Sequence, residues 1–377
     1  MNQISVSKTE EYDLPAVSAA VESHFERLGL SGLFKSGVKV LIKPNLLMKS
    51  APEQCTTTHP SLVEAVINKL FSLGVKPEQI TLADSPGGPY SAVLLSGIYK
   101  ASKMADVAAR TGITLNTDTG FVKVCSRISK MCASFNIINP VTQADIIINI
   151  AKLKTHCMTG LSGAVKNMFG SVPGLQKPEL HYRFPEKEKF GQMLVELCDT
   201  VRPQINLVDA VEAMEGNGPS GGDIKKVGYT FACTDPFLLD RFLCDVTGMD
   251  YKTVEYVNCA VKLGLAPEEV PDGCLAGDRL VLSGAFKKPD SRSVTFDNNM
   301  PRFLSAVARK FATPIPKIRK SECIGCAKCA ESCPAKTINI IEKKAVIDYK
   351  ACIKCYCCHE MCPAKAIDIK RFSLLKF

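Results

Sequence analysis

The chain has 377 residues, of which 46% are hydrophobic and 23% charged, and this composition excludes a disordered, collagen-like or coiled-coil protein. The length predicts about two to three domains. Lysine and arginine exceed aspartate and glutamate by nine charges, but they form no basic block or recognition motif, so we expect no nucleic-acid partner.

The first residues lack the basic and then apolar order of a signal peptide, and no segment reaches the roughly 18 apolar residues of a membrane span. We therefore expect a cytoplasmic protein that does not contact a membrane. Eighteen cysteines in a reducing compartment indicate metal or redox chemistry rather than a disulfide framework.

Before residue 300, short apolar runs rich in β-branched residues are each followed by a polar stretch. The runs are residues 38–42, 80–83, 145–150 and 205–208. Helical patterns separate them, which indicates parallel βαβ units. The predicted fold class is α/β, with a mostly parallel sheet flanked by helices.

Two helix starts can be predicted from local pattern. Thr58 is expected to cap a helix whose apolar stripe includes Leu62, Val66 and Leu70. Thr234-Asp235-Pro236 is typical of an N-cap followed by a proline in the first turn.

Ligands of open α/β sheets bind beyond the carboxyl ends of the strands, so the polar stretches would converge on one crevice. The lysines there would hold an anion, the histidine would exchange a proton, and the carboxylates would act as bases or bind a divalent metal. The alternative is that these are turn and cap residues, because Asn, Asp, Gly and Pro gather in loops. The candidate catalytic residues are His156, Lys154, Asp84, Asp209 and Glu215, and the candidate substrate-binding residues are Lys43, Asn45, Lys152, Lys166 and Asn167.

Residues 158–170 are rich in Gly and Ser and lead into a helix. Free backbone N–H groups at this start, with Lys166 one turn later, would suit a phosphate or carboxylate. Close packing of the glycines is the alternative. His181 lies in a polar stretch that indicates a solvated loop or lid, and Cys157 is a candidate for chemistry because it adjoins His156.

Residues 297–320 include a basic segment with Pro314 and Pro316, which stiffen a chain. We interpret them as a linker between a domain at 1–296 and a second domain at 321–377.

The C-terminal segment carries one cysteine spacing twice, C-x2-C-x2-C-x3-C-P, which is the pattern of bacterial two-cluster ferredoxins. Paired zinc sites are the alternative, since C-x2-C pairs also bind zinc, but the doubled run disfavours them. Cys357 falls outside the pattern and is predicted to be a packed thiol. The two copies, 29 residues apart, are Cys323, Cys326, Cys329, Cys333 and Cys352, Cys355, Cys358, Cys362.

This segment resembles the 8Fe ferredoxin family over about residues 318–372, and the resemblance implies a small α+β domain with two [4Fe-4S] clusters. It further implies the ligand sets: Cys323, Cys326, Cys329 and Cys362 for one cluster, and Cys352, Cys355, Cys358 and Cys333 for the other.

A second resemblance covers about residues 36–285 and is to the family of domain of unknown function 362 (DUF362). That family name supplies no reaction, but it implies an α/β body often joined to an iron–sulfur tail. The motifs that carry it are Ile42-Lys43-Pro44-Asn45-Leu46, Asp84-Ser85-Pro86-Gly87-Gly88, Lys152-Leu153-Lys154-Thr155-His156, Gly160 to Asn167, and Gly216-Asn217-Gly218-Pro219.

P-loop, dinucleotide-binding and zincin signatures are absent. From residue 321 onward ten Lys or Arg face six Asp or Glu, which favours a module that receives electrons. We expect an iron–sulfur oxidoreductase that takes low-potential electrons from a ferredoxin or similar donor and reduces a small anionic substrate, with a flavin or divalent metal as a candidate mediator. The alternatives are a non-catalytic electron-transfer or cluster-delivery protein for a client redox enzyme, and a non-redox enzyme with structural clusters.

Overall fold

The computed structural model describes residues 3–282, 284–292 and 313–370. Its strands are β1 (Ile4–Lys8), β2 (Val40–Pro44), β3 (Ile80–Leu82), β4 (Thr114–Leu115), β5 (Phe121–Cys125), β6 (Ser134–Ile138), β7 (Ile146–His156), β8 (Gly160–Ser162), β9 (Ile205–Glu215), β10 (Asp223–Cys233), β11 (Leu275–Gly277), β12 (Ile315–Ile318), β13 (Ile338–Ile341), β14 (Lys344–Ile347) and β15 (Ile367–Lys370). Its helices are α1 (Leu14–Arg27), α2 (Pro60–Ser72), α3 (Ala92–Ala101), α4 (Met104–Thr111), α5 (Asn139–Gln143), α6 (Ala164–Asn167), α7 (Gln176–Arg183), α8 (Lys187–Val201), α9 (Pro236–Thr247), α10 (Glu255–Lys262), α11 (Lys328–Glu331) and α12 (Cys357–Glu360).

The main sheet has the strand order β11-β1-β10-β9-β7-β2-β3-β4, and β8 pairs with the end of β7. The strands from β9 to β4 run parallel, whereas β10 pairs antiparallel with both of its neighbours. All eleven residues of β7 are buried, as expected for a strand covered by helices on both faces. The predicted α/β class with a mostly parallel sheet is confirmed.

The two faces of the sheet form two separate hydrophobic cores. Ile148 and Ile150 of β7 pack with α1 to α4 on one face, whereas Ile147 and Leu153 pack with α8 to α10 on the other. Successive strand residues point to opposite faces. The side chains that follow Ile148 and Ile150 on the same face of β7 are therefore the polar Lys152, Lys154 and His156. They belong to the sites described below.

Of the two predicted helix starts, one is confirmed and one is wrong. Asp235 caps α9 and accepts the N–H groups of Phe237 and Leu238 at 2.9 and 3.2 Å. The cap of α2 is His59 rather than Thr58. Thr58 instead donates to the carbonyl oxygen of Ile150 at 2.7 Å, because it lies against the sheet where that strand residue needs a partner.

The small C-terminal unit consists of two antiparallel strand pairs, β12 with β15 and β13 with β14, and the short helices α11 and α12. The repeat seen in the cysteine spacing thus extends to the secondary structure. The predicted linker ends too late, because β12 lies inside it and its backbone pairs with β15. The rest of that linker, residues 297–312, lies outside the described residues.

Within the ranges that the structure describes, no helix has both the length and the apolar character that crossing a bilayer requires.

Candidate functional site

A crevice opens beyond the carboxyl ends of β2, β3 and β7, between the α/β body and the C-terminal unit. It encloses about 690 Å³ of space not filled by protein atoms, part of it open to solvent. This is the edge at which open α/β sheets bind ligands. The predicted site residues that line it are Asn45, Asp84, Lys154, His156, Lys166 and Asn167.

Lys43 lies beneath the crevice and forms a buried ion pair with Asp84, with 2.7 Å between Nζ and Oδ1. The other carboxylate oxygen of Asp84 accepts the N–H group of Leu46 at 2.7 Å. A side chain at Gly170 would overlap this ion pair and displace one of its groups, so the glycine gives the pair its space. Asp84 is thus held as a fixed, paired carboxylate, and Lys43 acts through it rather than on a ligand.

Lys154 is oriented by neutral acceptors. Its Nζ donates to Asn45 Oδ1 at 2.6 Å and to the carbonyl oxygen of Thr56 at 2.7 Å. Asn45 in turn donates to Asn167, which donates to Asn149. Burial lowers the pKa of Lys154 to about 7, although nearby Glu360 opposes the shift. The charge of this lysine therefore changes close to neutral pH.

Two further lysines line the crevice, the buried Lys166 and the partly buried Lys177. Lys166 lies 4.8 Å from the ring centre of Phe169, and burial lowers its pKa. Lys177, in the first turn of α7, donates to the carbonyl and hydroxyl oxygens of Ser85 at 2.7 and 2.9 Å. Burial lowers the pKa of Lys177 to about 7.

The carboxylates among the residues that line the crevice are Glu360 and the ion-paired Asp84. When the lysines are protonated, positive charge is therefore in excess, which suits an anionic ligand.

His156 is 3% exposed and bridges the two structural units. Its Nδ1 accepts the backbone N–H of Met158 at 3.1 Å, so the neutral ring carries its proton on Nε2. That nitrogen lies 3.7 Å from Oε2 of Glu360 in α12. The arrangement aims a proton-bearing atom at the junction between the units.

His181 and Cys157 differ from expectation. The interpretation of His181 as part of a solvated loop is wrong, because it lies in α7 and its ring stacks on Phe190 with 4.2 Å between ring centres. Burial lowers the pKa of His181 to about 3, so the ring is neutral. Cys157 is not among the residues that line the crevice, and burial raises the pKa of its thiol to about 12. It is therefore a poor nucleophile.

The prediction that Lys152 and Asp209 belong to the same crevice is wrong. They form their own buried ion pair at 3.1 Å, and the hydroxyl of Tyr12 accepts from Lys152 at 2.6 Å and donates to Asp209 at 2.7 Å. The chain between Thr56, which contacts Lys154, and His59, which contacts Asp209, separates the two places.

Glu215 is also remote from the crevice. It accepts the backbone N–H of Lys287 at 3.0 Å and lies 3.6 Å from Nζ of Lys225. Asp84, Asp209 and Glu215 thus belong to three separate ion-pair clusters and do not converge on one place.

The Gly/Ser-rich start of α6 is not an open anion site. The two oxygens of Asp240 accept the N–H groups of Ala164 and Val165 at 2.6 and 3.0 Å. A side chain at Gly163 would overlap this carboxylate. Asp240 itself supplies the oxygens that the sequence pattern attributes to a ligand, burial raises its pKa to about 7, and the glycine serves close packing.

The polar loop at residues 216–222 does not line the crevice apart from Pro219; it holds the C-terminal unit. The carbonyl oxygen of Asn217 lies 2.8 Å from His359 Nε2, and the hydroxyl of Ser220 donates to the carbonyl oxygen of Glu360 at 2.7 Å. A side chain at Gly221 would overlap the ring of His359, and one at Gly218 would overlap the carbonyl oxygen of Thr155 in the strand beneath the loop. The glycines of this loop therefore permit close docking.

Two apolar cavities of about 340 and 310 Å³, in the order named below, lie inside the C-terminal unit, each lined by four cysteines. We name them cavity 1 (Cys323, Cys326, Cys329, Cys362) and cavity 2 (Cys333, Cys352, Cys355, Cys358). Each set takes three cysteines from one copy of the repeat and the fourth from the other.

The four cysteines of each set lie around a cavity and do not converge on the position of a single ion. Among the described residues, no three His, Cys, Asp or Glu side chains converge where a single ion would bind. Backbone N–H groups point at sulfur from Thr337 to Cys333 at 3.4 Å and from Ala366 to Cys362 at 3.2 Å. Four soft donors around an apolar void, with N–H···S hydrogen bonds, fit a polynuclear iron–sulfur cluster better than a zinc ion.

Both cavities lie one residue from the crevice along the chain. Ser332, Cys357 and Met361 line the crevice, and each is followed directly by a cysteine of one of the cavities. Cys357, which is buried as predicted for a packed thiol, thus separates cavity 2 from the crevice.

The sequence patterns missed several residues of the site. Lys177 carries no local signal, because its segment is polar enough to indicate a loop. Asp240 is far in sequence from the helix that it caps. Glu360 lies between Cys358 and Cys362, where the repeated pattern predicts only the cysteines as functional residues.

Comparison with known proteins gives matches to both parts of the chain. Residues 40–245 match the model of the family described as "Domain of unknown function (DUF362)", and residues 315–363 match that of the "4Fe-4S dicluster domain". The chain is 30% identical over 319 residues to the "Thylakoid-associated protein sll1697" of Synechocystis sp. (strain ATCC 27184 / PCC 6803 / Kazusa), an alignment that covers 82% of this chain and 95% of that protein. Both resemblances seen in the sequence are confirmed, and the dicluster domain supports iron–sulfur electron transfer with 4Fe-4S clusters.

Proposed function

The chain belongs to the DUF362 family and carries a 4Fe-4S dicluster domain, and from these we propose an iron–sulfur oxidoreductase that reduces a small anionic substrate in the crevice. The observation that carries the proposal is the position of the crevice. Its lysines come from the α/β body, whereas Ser332, Cys357, Glu360 and Met361 come from the dicluster domain. A substrate held there would lie beside the cysteines of both cavities.

In this proposal the four cysteines of cavity 1 hold one cluster and the four of cavity 2 hold the other. When bound, the clusters supply one-electron transfer at low potential. The apolar walls exclude water, and the N–H groups of Thr337 and Ala366 donate to the sulfurs of Cys333 and Cys362.

The substrate is proposed to be an anion because three lysines line the crevice, together with His156 and the neutral His181. Lys154 and Lys166 would bind its charged group, and Lys177 holds the Ser85 loop that forms the wall. Asn45 accepts a hydrogen bond from Lys154 and is itself held by Asn167. Because both asparagines are neutral, they do not compensate the lysine charge, which stays available to the ligand.

His156 is proposed as the proton donor. Its tautomer is set by the N–H of Met158, and its Nε2 proton faces the junction where the substrate would meet the dicluster domain. Glu360, 3.7 Å away, stabilises the ring when it becomes protonated again from solvent.

We also propose a cytoplasmic location and an external low-potential donor such as a ferredoxin. All eighteen cysteines are free of disulfide bonds, in agreement with a reducing compartment.

The test is performed on protein purified without oxygen and assayed for iron, sulfide, zinc and extractable flavin. Chemically reduced protein is mixed with small anionic acceptors, and reoxidation of the clusters is followed by visible absorbance and electron paramagnetic resonance. We expect eight iron atoms per chain as two [4Fe-4S] clusters, and reoxidation by an anion that slows sharply in His156→Gln.

The matched control is His24→Gln, whose histidine is buried between Ser5 and Thr230 remote from the crevice. Zinc without sulfide would refute the clusters. Equal reoxidation of wild type and His156→Gln, with clusters intact, would refute the crevice as the site of reduction.

A further inference from the structure

The two cavities differ in their exposure to solvent. Cavity 1 includes the exposed Cys326, and its wall residue Ile324 is 66% exposed. Cavity 2 has no exposed cysteine in the described structure, and Cys333 and Cys358 are each 7% exposed. Cavity 2 is the one that Cys357 joins to the crevice. Cavity 1 therefore opens to solvent, whereas cavity 2 is shielded from it; cavity 2 adjoins the crevice through Ser332 and Cys357, and cavity 1 adjoins it through Met361.

An apolar surface surrounds the opening of cavity 1. Ile324 and Ile340 line the cavity and are exposed, and Ile341 of the same strand is 55% exposed. The loop and the hairpin are in direct contact, because a side chain at Gly325 would overlap the carbonyl oxygen of Lys343. Contiguous exposed apolar groups of this kind mark binding surfaces.

Basic side chains border this surface. Lys320, Lys328 and Lys343 are exposed. Between residues 313 and 370, eleven Lys or Arg face six Asp or Glu. Two of the acidic side chains near the cavity are already paired, Glu322 with Arg319 and Glu331 with Lys328. Glu342, which adjoins Lys343, is also exposed. With the two pairs set aside, Lys320 and Lys343 outnumber Glu342, so the remaining charge on this face is positive and would complement an acidic partner.

We propose that an acidic one-electron carrier protein docks on this surface, defined by Ile324, Cys326, Ile340 and Lys343, and donates its electron there. The inference rests on the proposed function and adds the place and the direction of electron delivery. One electron leaves the reduced carrier, which is oxidised, and reduces the group held by the cavity 1 cysteines. The exposed isoleucines exclude water from the contact, and the lysines orient the carrier.

The test uses the full chain with its clusters, and a purified acidic bacterial ferredoxin as the probe. We expect wild type to bind this probe with an affinity that falls as salt is raised, and Lys320→Glu/Lys343→Glu to bind about tenfold or more weakly. Carbodiimide cross-links should join Lys343 or Lys320 to acidic residues of the probe. Lys35→Glu, at an exposed lysine of the α/β body, is the matched control and should bind normally.

Equal affinity in the double variant and the control, or cross-links confined to other lysines, would overturn the inference. Binding of wild type to phosphatidylglycerol vesicles, lost in the double variant while the ferredoxin does not bind at all, would identify the surface as a membrane contact instead. Reduction by dithionite and reoxidation by the substrate bypass this surface, so they test the proposed function separately.

Discussion

Replacing Lys154 by methionine removes a buried charge from the crevice while nearly keeping the length of the side chain. The acceptors of Lys154 are the neutral oxygens of Asn45 and Thr56, and burial lowers its pKa to about 7. The lysine is therefore about nine-tenths charged at pH 6 and about one-tenth charged at pH 8. Because an anion needs the charged form, its affinity should fall as the pH rises through 7.

The size of the effect follows from these fractions. One lysine of this pKa reduces the association constant of an anion about tenfold between pH 6 and pH 8, and Lys177, whose pKa is also about 7, would raise the total to about a hundredfold. In Lys154→Met the factor due to Lys177 alone would remain.

The same substitution should stabilise the fold. A pKa lowered from 10.5 to about 7 means that the charged lysine disfavours folding by up to about 5 kcal/mol, in full below pH 7 and vanishing as the pH rises toward 10.5. Loss of two hydrogen bonds offsets about 2 kcal/mol. We expect the variant to be more stable by about 3 kcal/mol at pH 6.

Titration calorimetry with sulfate, whose charge is constant over this range, measures the affinities, and circular dichroism without oxygen measures thermal unfolding. Lys76→Met, at an exposed position, is the control and should change neither result. Sulfate affinity that does not vary between pH 6 and pH 8 in wild type, or an unchanged pH slope in Lys154→Met, would refute the reasoning.

Three further outcomes are expected. Cys358→Ser should lose about half of the iron, whereas Cys357→Ser should keep all of it, as measured by iron and sulfide analysis; equal loss in both would contradict the ligand sets. Gly218→Ala should loosen the docking of the dicluster domain, because the new methyl group meets the rigid carbonyl of Thr155, and hydrogen exchange should rise in residues 216–222; unchanged exchange would be the contrary result. Asp240→Ala should weaken the fall of stability between pH 4 and pH 7, because burial raises the pKa of Asp240 to about 7 and the wild-type fold loses stability as this carboxyl ionises; a thermal midpoint with the same pH dependence as wild type would be the contrary result.

Some of this architecture is readable from local pattern. The eight ligand-type cysteines can be recognised because their spacing is short and repeated, their division into two sets is implied by the resemblance to the 8Fe ferredoxin family, and the same repeat recurs in α11 with α12. Likewise the apolar runs of β2, β3, β7 and β9 indicate a parallel sheet, because a strand buried on both faces has few polar residues. Both inferences depend on chemistry within a few residues of chain.

The partners of charged side chains could not be read in this way. The sequence places Lys152 and Lys154 in one motif with His156, but the chain at residues 55–59 passes between them and pairs Lys152 with Asp209. The start of α6 has the pattern of an anion site, yet Asp240 fills it from a different helix.

Sequence alone thus determined the cysteine sets, the sheet and the edge at which polar residues gather. Tertiary structure decided which of those residues share the crevice, because burial forces each charge to find a partner, and that partner is chosen by packing between segments far apart in the chain. The meeting of Glu360 with His156 is the clearest case, since it exists only because the loop at residues 216–222 holds the two units together.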